Sequence, residues 1–187
     1  MKYPSVFKQI QTKYAARELL RREIIGKAND AIGRSKRAIF ALHREDAKGA
    51  QELLDGAQSL FVECERLFKR VPDLSEEGSY RAALEEYAEA CLFSGYLKNG
   101  SLGAIEDRVM DPLVYLAGLA DATGEIVRYT VRQVTLGKTK EVAHARETVE
   151  MVIEYMLSLD GTGYLRTKFD QAKGNLKRLE DISYDLS

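Results

Sequence analysis

The sequence predicts an all-α protein, a single antiparallel bundle of about six or seven helices over residues 1–187. Three observations carry this. Apolar residues recur at helical spacing almost everywhere, and no convincing alternating pattern of a strand appears. The chain is rich in Ala, Leu, Glu, Arg and Lys and holds only three prolines, a composition that favours helix. Helix starts and stops also fall at intervals that suit antiparallel neighbours joined by short loops.

Each element follows from local signals. A long first helix runs from about Pro4 to His43 and breaks near His43–Asp46. A second extends to about Val71 and ends before Pro72, which cannot continue the backbone ladder. The loop PDLSEEGS leads into a third helix, which stops at Asn99–Gly100, a helix-ending pair. A short turn around SLGAIEDRV follows. Asp111–Pro112 then supplies an N-cap and a proline at the first helical position. That helix reaches about Leu136–Gly137. The next covers roughly Lys138 to Leu159 and breaks at DGTG, and a final helix, YLRTKFDQAKGNLKRLEDISYDLS, closes the chain.

Composition excludes several classes. Hydrophobic and charged residues stand at 45% and 30%, which rules against disorder. No apolar run is long enough to span a membrane, and MKYPSVFKQIQTKY has no signal-peptide core. Cys64 and Cys91 have no metal or disulfide spacing, so a cytoplasmic protein with free thiols is expected. Charge is uneven: residues 1–44 carry a net +8 and the rest −9. A basic first helix on an acidic body can guide a polyanion, or can simply be a solvated face paired with acidic neighbours.

Two helices place acids where apolar residues belong. In RAALEEYAEACLFSGYL, at roughly 100° per residue, Ala82, Glu86, Glu89, Ala90, Phe93 and Leu97 share one side. In YLAGLADATGEIVRYT, Leu116, Leu119, Thr123, Ile126, Val127 and Thr130 form a core face. The other side gathers Val114, Ala117, Gly118, Asp121, Gly124, Glu125, Arg128 and Arg132. Asp121 and Glu125, four apart, point the same way, and the small residues around them let another helix come close. If the two faces meet, four carboxylates converge, and a divalent cation relieves their repulsion. Oxygen-only ligands favour Mg²⁺ or Mn²⁺ over Zn²⁺. Spacing alone is met more often by ordinary helix surfaces and salt bridges, with Arg128 neutralising Glu125. A ferritin-like site needs a Glu-x-x-His motif on two helices and is excluded, because Glu141-x-x-His144 stands alone and His43 completes none. His43 reads as a cap near a helix junction and His144 as a surface residue.

The segments EEYAEACLFSGYL (85–97), DPLVYLAGLADATGEIVRYTVRQVTLG (111–137) and KFDQAKGNLKRLEDISYDLS (168–187) resemble the translin/TRAX family. The pattern Y-L-x-G-x-A-D-x-T-G-E-x-x-R weighs most. The resemblance is strongest from Glu85 onward and faint in the first 70 residues. It implies an all-α, translin-like fold, assembly into hollow oligomers, typically octamers, and binding of single-stranded RNA or DNA. TRAX-type members are metal-dependent endoribonucleases with two glutamates in E-Y-x-E-A, matched by Glu86 and Glu89. Their Asp in A-D-x-T-G-E is matched by Asp121 and the following Glu by Glu125. Translin-type members bind nucleic acid and have apolar residues at the first three of these positions. The C-terminal Y-D-L-S looks more like translin. The mixture implies one self-sufficient subunit forming homo-oligomers, as a prokaryotic relative would.

On this resemblance Glu86, Glu89 and Asp121 are expected to hold Mg²⁺ or Mn²⁺, with Glu125 as a fourth ligand, an orienting group or the base. Arg128, Arg81 and Arg132 are candidates to neutralise phosphate. Arg17, Arg21, Arg22 and Tyr80 are candidates for tracking and stacking a single strand, with Tyr80 also a natural core residue. The expected activity is cleavage of single-stranded RNA by metal-activated water. The alternative is a non-catalytic, translin-type binder of single-stranded RNA or DNA.

Overall fold

The structure, a computed structural model, describes residues 4–186. Among these it has six α-helices and no strand: α1 (Ser5–His43), α2 (Ala47–Phe68), α3 (Gly78–Asn99), α4 (Pro112–Thr135), α5 (Glu141–Ser158) and α6 (Tyr164–Asp185). No helix among the described residues is long and apolar enough to cross a membrane.

The punctuation works as the residue types dictate. Asp46 accepts from the Gly49 amide to cap α2, and Asp111 accepts from the amides of Leu113 and Val114 to cap α4. Gly100, at φ 69°, ends α3 in the left-handed conformation that glycine adopts without strain. Two boundaries differ from expectation. α2 stops at Phe68, and the anticipated loop contains a 3-10 turn at Pro72–Glu76. α5 begins at Glu141 rather than Lys138, since the chain still turns through Thr139–Lys140.

α1 and α2 fold back on one another, with Lys27 paired to Glu63 and Arg34 lying over Gly56. The short loops before α5 and α6 likewise reverse the chain. α3 and α4 depart from the antiparallel pattern. Arg81 meets Asp111 where both begin and Phe93 meets Tyr129 further along, so these helices run parallel. Residues 101–111 carry the chain back between them. This connection is strapped down: Tyr87 donates to Asp107, and Arg108 bonds Gln58 and Glu65 while lying over the Phe61 ring. α1 also runs parallel to α3, through Arg21–Glu77, Lys36–Glu86 and His43–Phe93.

The main core packs Ile24, Phe61, Tyr87, Phe93, Ile126, Val149 and Leu179. A second cluster, with Leu116, Leu119, Val152, Met156 and Phe169, joins α4, α5 and α6. α4 lies between α3, α5 and α6, so the face opposite its expected core stripe is covered too: Val114, Ala117 and Gly118 are buried. The first three turns of α1 are exposed, Val6, Ile10 and Tyr14 included.

Candidate functional site

The acid pairs do meet, and Gly118 is the reason. A Cβ at that position would lie 2.6 Å from Ala88 Cβ and 2.9 Å from the Glu89 amide nitrogen. Only glycine allows α4 to approach the α3 backbone so closely. One turn beyond the contact on α4 stands Asp121, and a further turn on stands Glu125. The Glu89 carboxyl is pushed up to about 8, first by burial and then by the negative charges of Asp121, Glu86 and Glu125. The charges of the other three carboxylates are therefore felt at Glu89.

Three of the four already have a cation. Lys36 from α1 lies 3.1 Å from Glu86, and Lys168 from α6 bonds Asp121 at 2.5 Å. Glu125 Oε2 bonds His43 Nε2 and lies 3.5 Å from Arg128. Glu89 alone has no hydrogen bond or ion pair among the described residues. No three His, Cys, Asp or Glu side chains among the described residues stand close enough together to hold an ion as they are.

His43 is the main correction to the sequence reading. It does not cap a helix junction; Arg44 ends α1 and Asp46 starts α2. His43 is buried, its ring centroid 4.8 Å from that of Phe93, and it reaches Glu125. Its partner lies 82 residues away, so no local pattern signalled the pair. His144 is exposed as expected, stacked on Tyr96. Lys36 and Lys168 were not singled out either; each is an ordinary helical lysine until the helices pack.

The proposed nucleic-acid residues divide. Arg128, Arg132 and Arg22 are exposed, Arg128 beside the acids. Arg17 is tied to Asp73 at 2.6 Å and Arg21 to Glu77 at 2.8 Å. Arg81 lies 3.2 Å from Glu76 and 3.4 Å from Asp111. These three act as struts between helices in this conformation. Tyr80 is core: its ring sits edge-on to Phe61 and Phe68 and offers no open face for a base.

A model of the Translin family matches residues 20–187. This chain belongs to the Translin family. It is 24% identical to mouse Translin-associated protein X, over 96% of this chain and 77% of that one. The same protein of Pongo abelii is also 24% identical over the same shares. Among solved structures, the family fold recurs in apo-NeC3PO, with a TM-score of 0.89, 23% identity and full coverage of both chains. The AfC3PO–duplex RNA complex superposes with a TM-score of 0.84 at 22% identity, covering 96% of this chain and 95% of that one. The faint resemblance of the N-terminal region thus still corresponds to the family fold.

Proposed function

We propose that this Translin-family protein is a metal-dependent endoribonuclease that cleaves single-stranded RNA within a hollow homo-oligomer. The observation that carries the reading is that Glu86, Asp121 and Glu125 all bring negative charge to bear on Glu89, which makes no ion pair of its own among the described residues. An unpaired, half-buried carboxyl among three others is costly unless a cation completes the site. The donor set is oxygen only, which fits Mg²⁺ or Mn²⁺. The relatives named Translin-associated protein X and the duplex RNA bound by a structural neighbour support RNA as the class of ligand.

Glu86, Glu89 and Asp121 would hold the ion, with Glu125 as fourth ligand or orienting group. Bound there, it supplies Lewis-acid polarisation of a phosphate and a water of lowered pKa. Glu125 accepts the proton from the attacking water; His43 and Arg128 both address its Oε2 and so fix the carboxylate. Arg128 is exposed and turns to the phosphate as negative charge develops. Arg22 and Arg132 are free enough of the core to follow the backbone of a strand. Exposed apolar residues, among them Val6, Ile10 and Tyr14 on α1 and Met151 and Tyr155 on α5, suit burial against further copies of the chain. The octamer is the assembly we expect.

The second reading is a non-catalytic binder of single-stranded RNA or DNA. The ion pairs of Lys36, Lys168 and Arg128 favour it, since each already sets a cation against one of the acids. Cleavage of a labelled single-stranded RNA with Mg²⁺, Mn²⁺ or EDTA, comparing wild type with Glu89→Ala, separates the two. Metal-dependent cleavage lost in a folded variant supports the nuclease; binding without cleavage supports the binder. A duplex of the same sequence and a DNA strand, run alongside, define the substrate class.

A further inference from the structure

Four cationic side chains reach the acidic cluster, and they differ in freedom. Lys36 and Arg128 have side chains 61% and 57% exposed, so a rotamer change carries either head into water. His43 is buried and bears charge only when protonated. The Lys168 side chain is 13% exposed, with Nζ 2.5 Å from Asp121 Oδ2 and 5.3 Å from the Tyr164 ring centroid. Tyr164 in turn donates to Glu85 Oε2 at 2.6 Å. That bond ties the start of α6 to α3.

We propose that Lys168 is a built-in counter-cation of Asp121, standing in for the divalent ion in the metal-free protein and setting how tightly the site takes one. This rests on the reading of Glu86, Glu89, Asp121 and Glu125 as a metal site. An ammonium held against a ligand carboxylate repels an incoming cation and must yield part of its bond when one enters. Its presence lets the packed acids survive without metal. Its cost is weaker metal binding. Lys168 acts through Asp121 and so is a positioning residue.

The test uses the full chain stripped with EDTA and titrated with Mn²⁺, with free Mn²⁺ read by electron paramagnetic resonance and melting temperature read in parallel. Lys168→Met is expected to melt lower without metal, to bind Mn²⁺ roughly tenfold more tightly and to gain more melting temperature from it. Lys168→Gln keeps a hydrogen-bond donor but drops the charge; it carries the same expectation if the Met variant fails to fold. Lys168→Arg keeps the charge and should bind as wild type does. Tyr164→Phe cuts the tie to Glu85 and should lower melting temperature without tightening Mn²⁺. If wild type binds Mn²⁺ and the neutral variants bind no tighter, the counter-cation role is wrong and the metal site stands. If none of the proteins binds Mn²⁺, both fall. Binding by the neutral variants alone supports both.

Discussion

Gly118 and Glu89 meet across the α3–α4 interface so closely that a Cβ on Gly118 would stand 2.9 Å from the Glu89 amide nitrogen. The obstruction would be backbone, which cannot rotate away as a side chain can. Gly118→Ala should therefore destabilise the protein by about 1–3 kcal/mol, the usual cost of overpacking. On the nuclease reading, cleavage should fall further than stability, because the same displacement separates Glu89 from Asp121. Gly174, on the exposed side of α6 with nothing within 4 Å of a new Cβ, is the control. Gly174→Ala should add about 0.5–1 kcal/mol. Urea denaturation of both variants checks the pair, and equal effects would refute the close-packing account.

The acidic cluster makes stability depend on pH. Glu89 rises from an ordinary 4.5 to about 8 in the folded state. Between those values the folded protein holds more protons than the unfolded chain, so stability falls as pH rises from 4.5 to 8. Above pH 8 the full penalty is present. Glu89→Gln removes the ionisation, and in EDTA it should melt near wild type at pH 5 and above it at pH 8. Parallel pH slopes in the two proteins, followed by calorimetry, would sink this expectation.

His43 and Glu125 couple the end of α1 to α4. His43→Phe preserves a ring against Phe93 but leaves Glu125 with Arg128 alone. On the nuclease reading, cleavage should drop by roughly 10–100-fold, as for other residues that orient a ligand. Melting temperature should change little by comparison. Proportional losses of both would assign His43 to packing only.

Gln133 buries both amide atoms near the end of α4 with no hydrogen-bond partner among the described residues. Gln133→Met has similar volume and no such groups to satisfy. It should raise stability by about 1 kcal/mol, measured by denaturant titration. A loss instead would mean that the amide is satisfied by water held inside the bundle.

Much of the candidate site could be read in one dimension because helix faces are local. Glu86 and Glu89 stand one turn apart in an apolar stripe, and so do Asp121 and Glu125 beside small residues; that pattern survives folding. The nucleic-acid residues were less legible. Arg17, Arg21 and Arg81 look like a basic strip until Asp73, Glu77, Glu76 and Asp111 are brought against them. Tyr80 carries the same ring whether it stacks on a base or on Phe68, and only packing chooses between them.

The sequence by itself determined the helical fold class, the Asp111 start of α4, the Gly100 end of α3 and the acids those helices present, since 3.6-residue periodicity and capping chemistry act within a few residues. Tertiary structure decided that α3 and α4 run parallel. It also decided which cation faces each acid: Lys168 reaches Asp121 across 47 residues and His43 reaches Glu125 across 82. Such pairs depend on how whole helices pack, and at Gly118 that packing turns on the absence of one side chain.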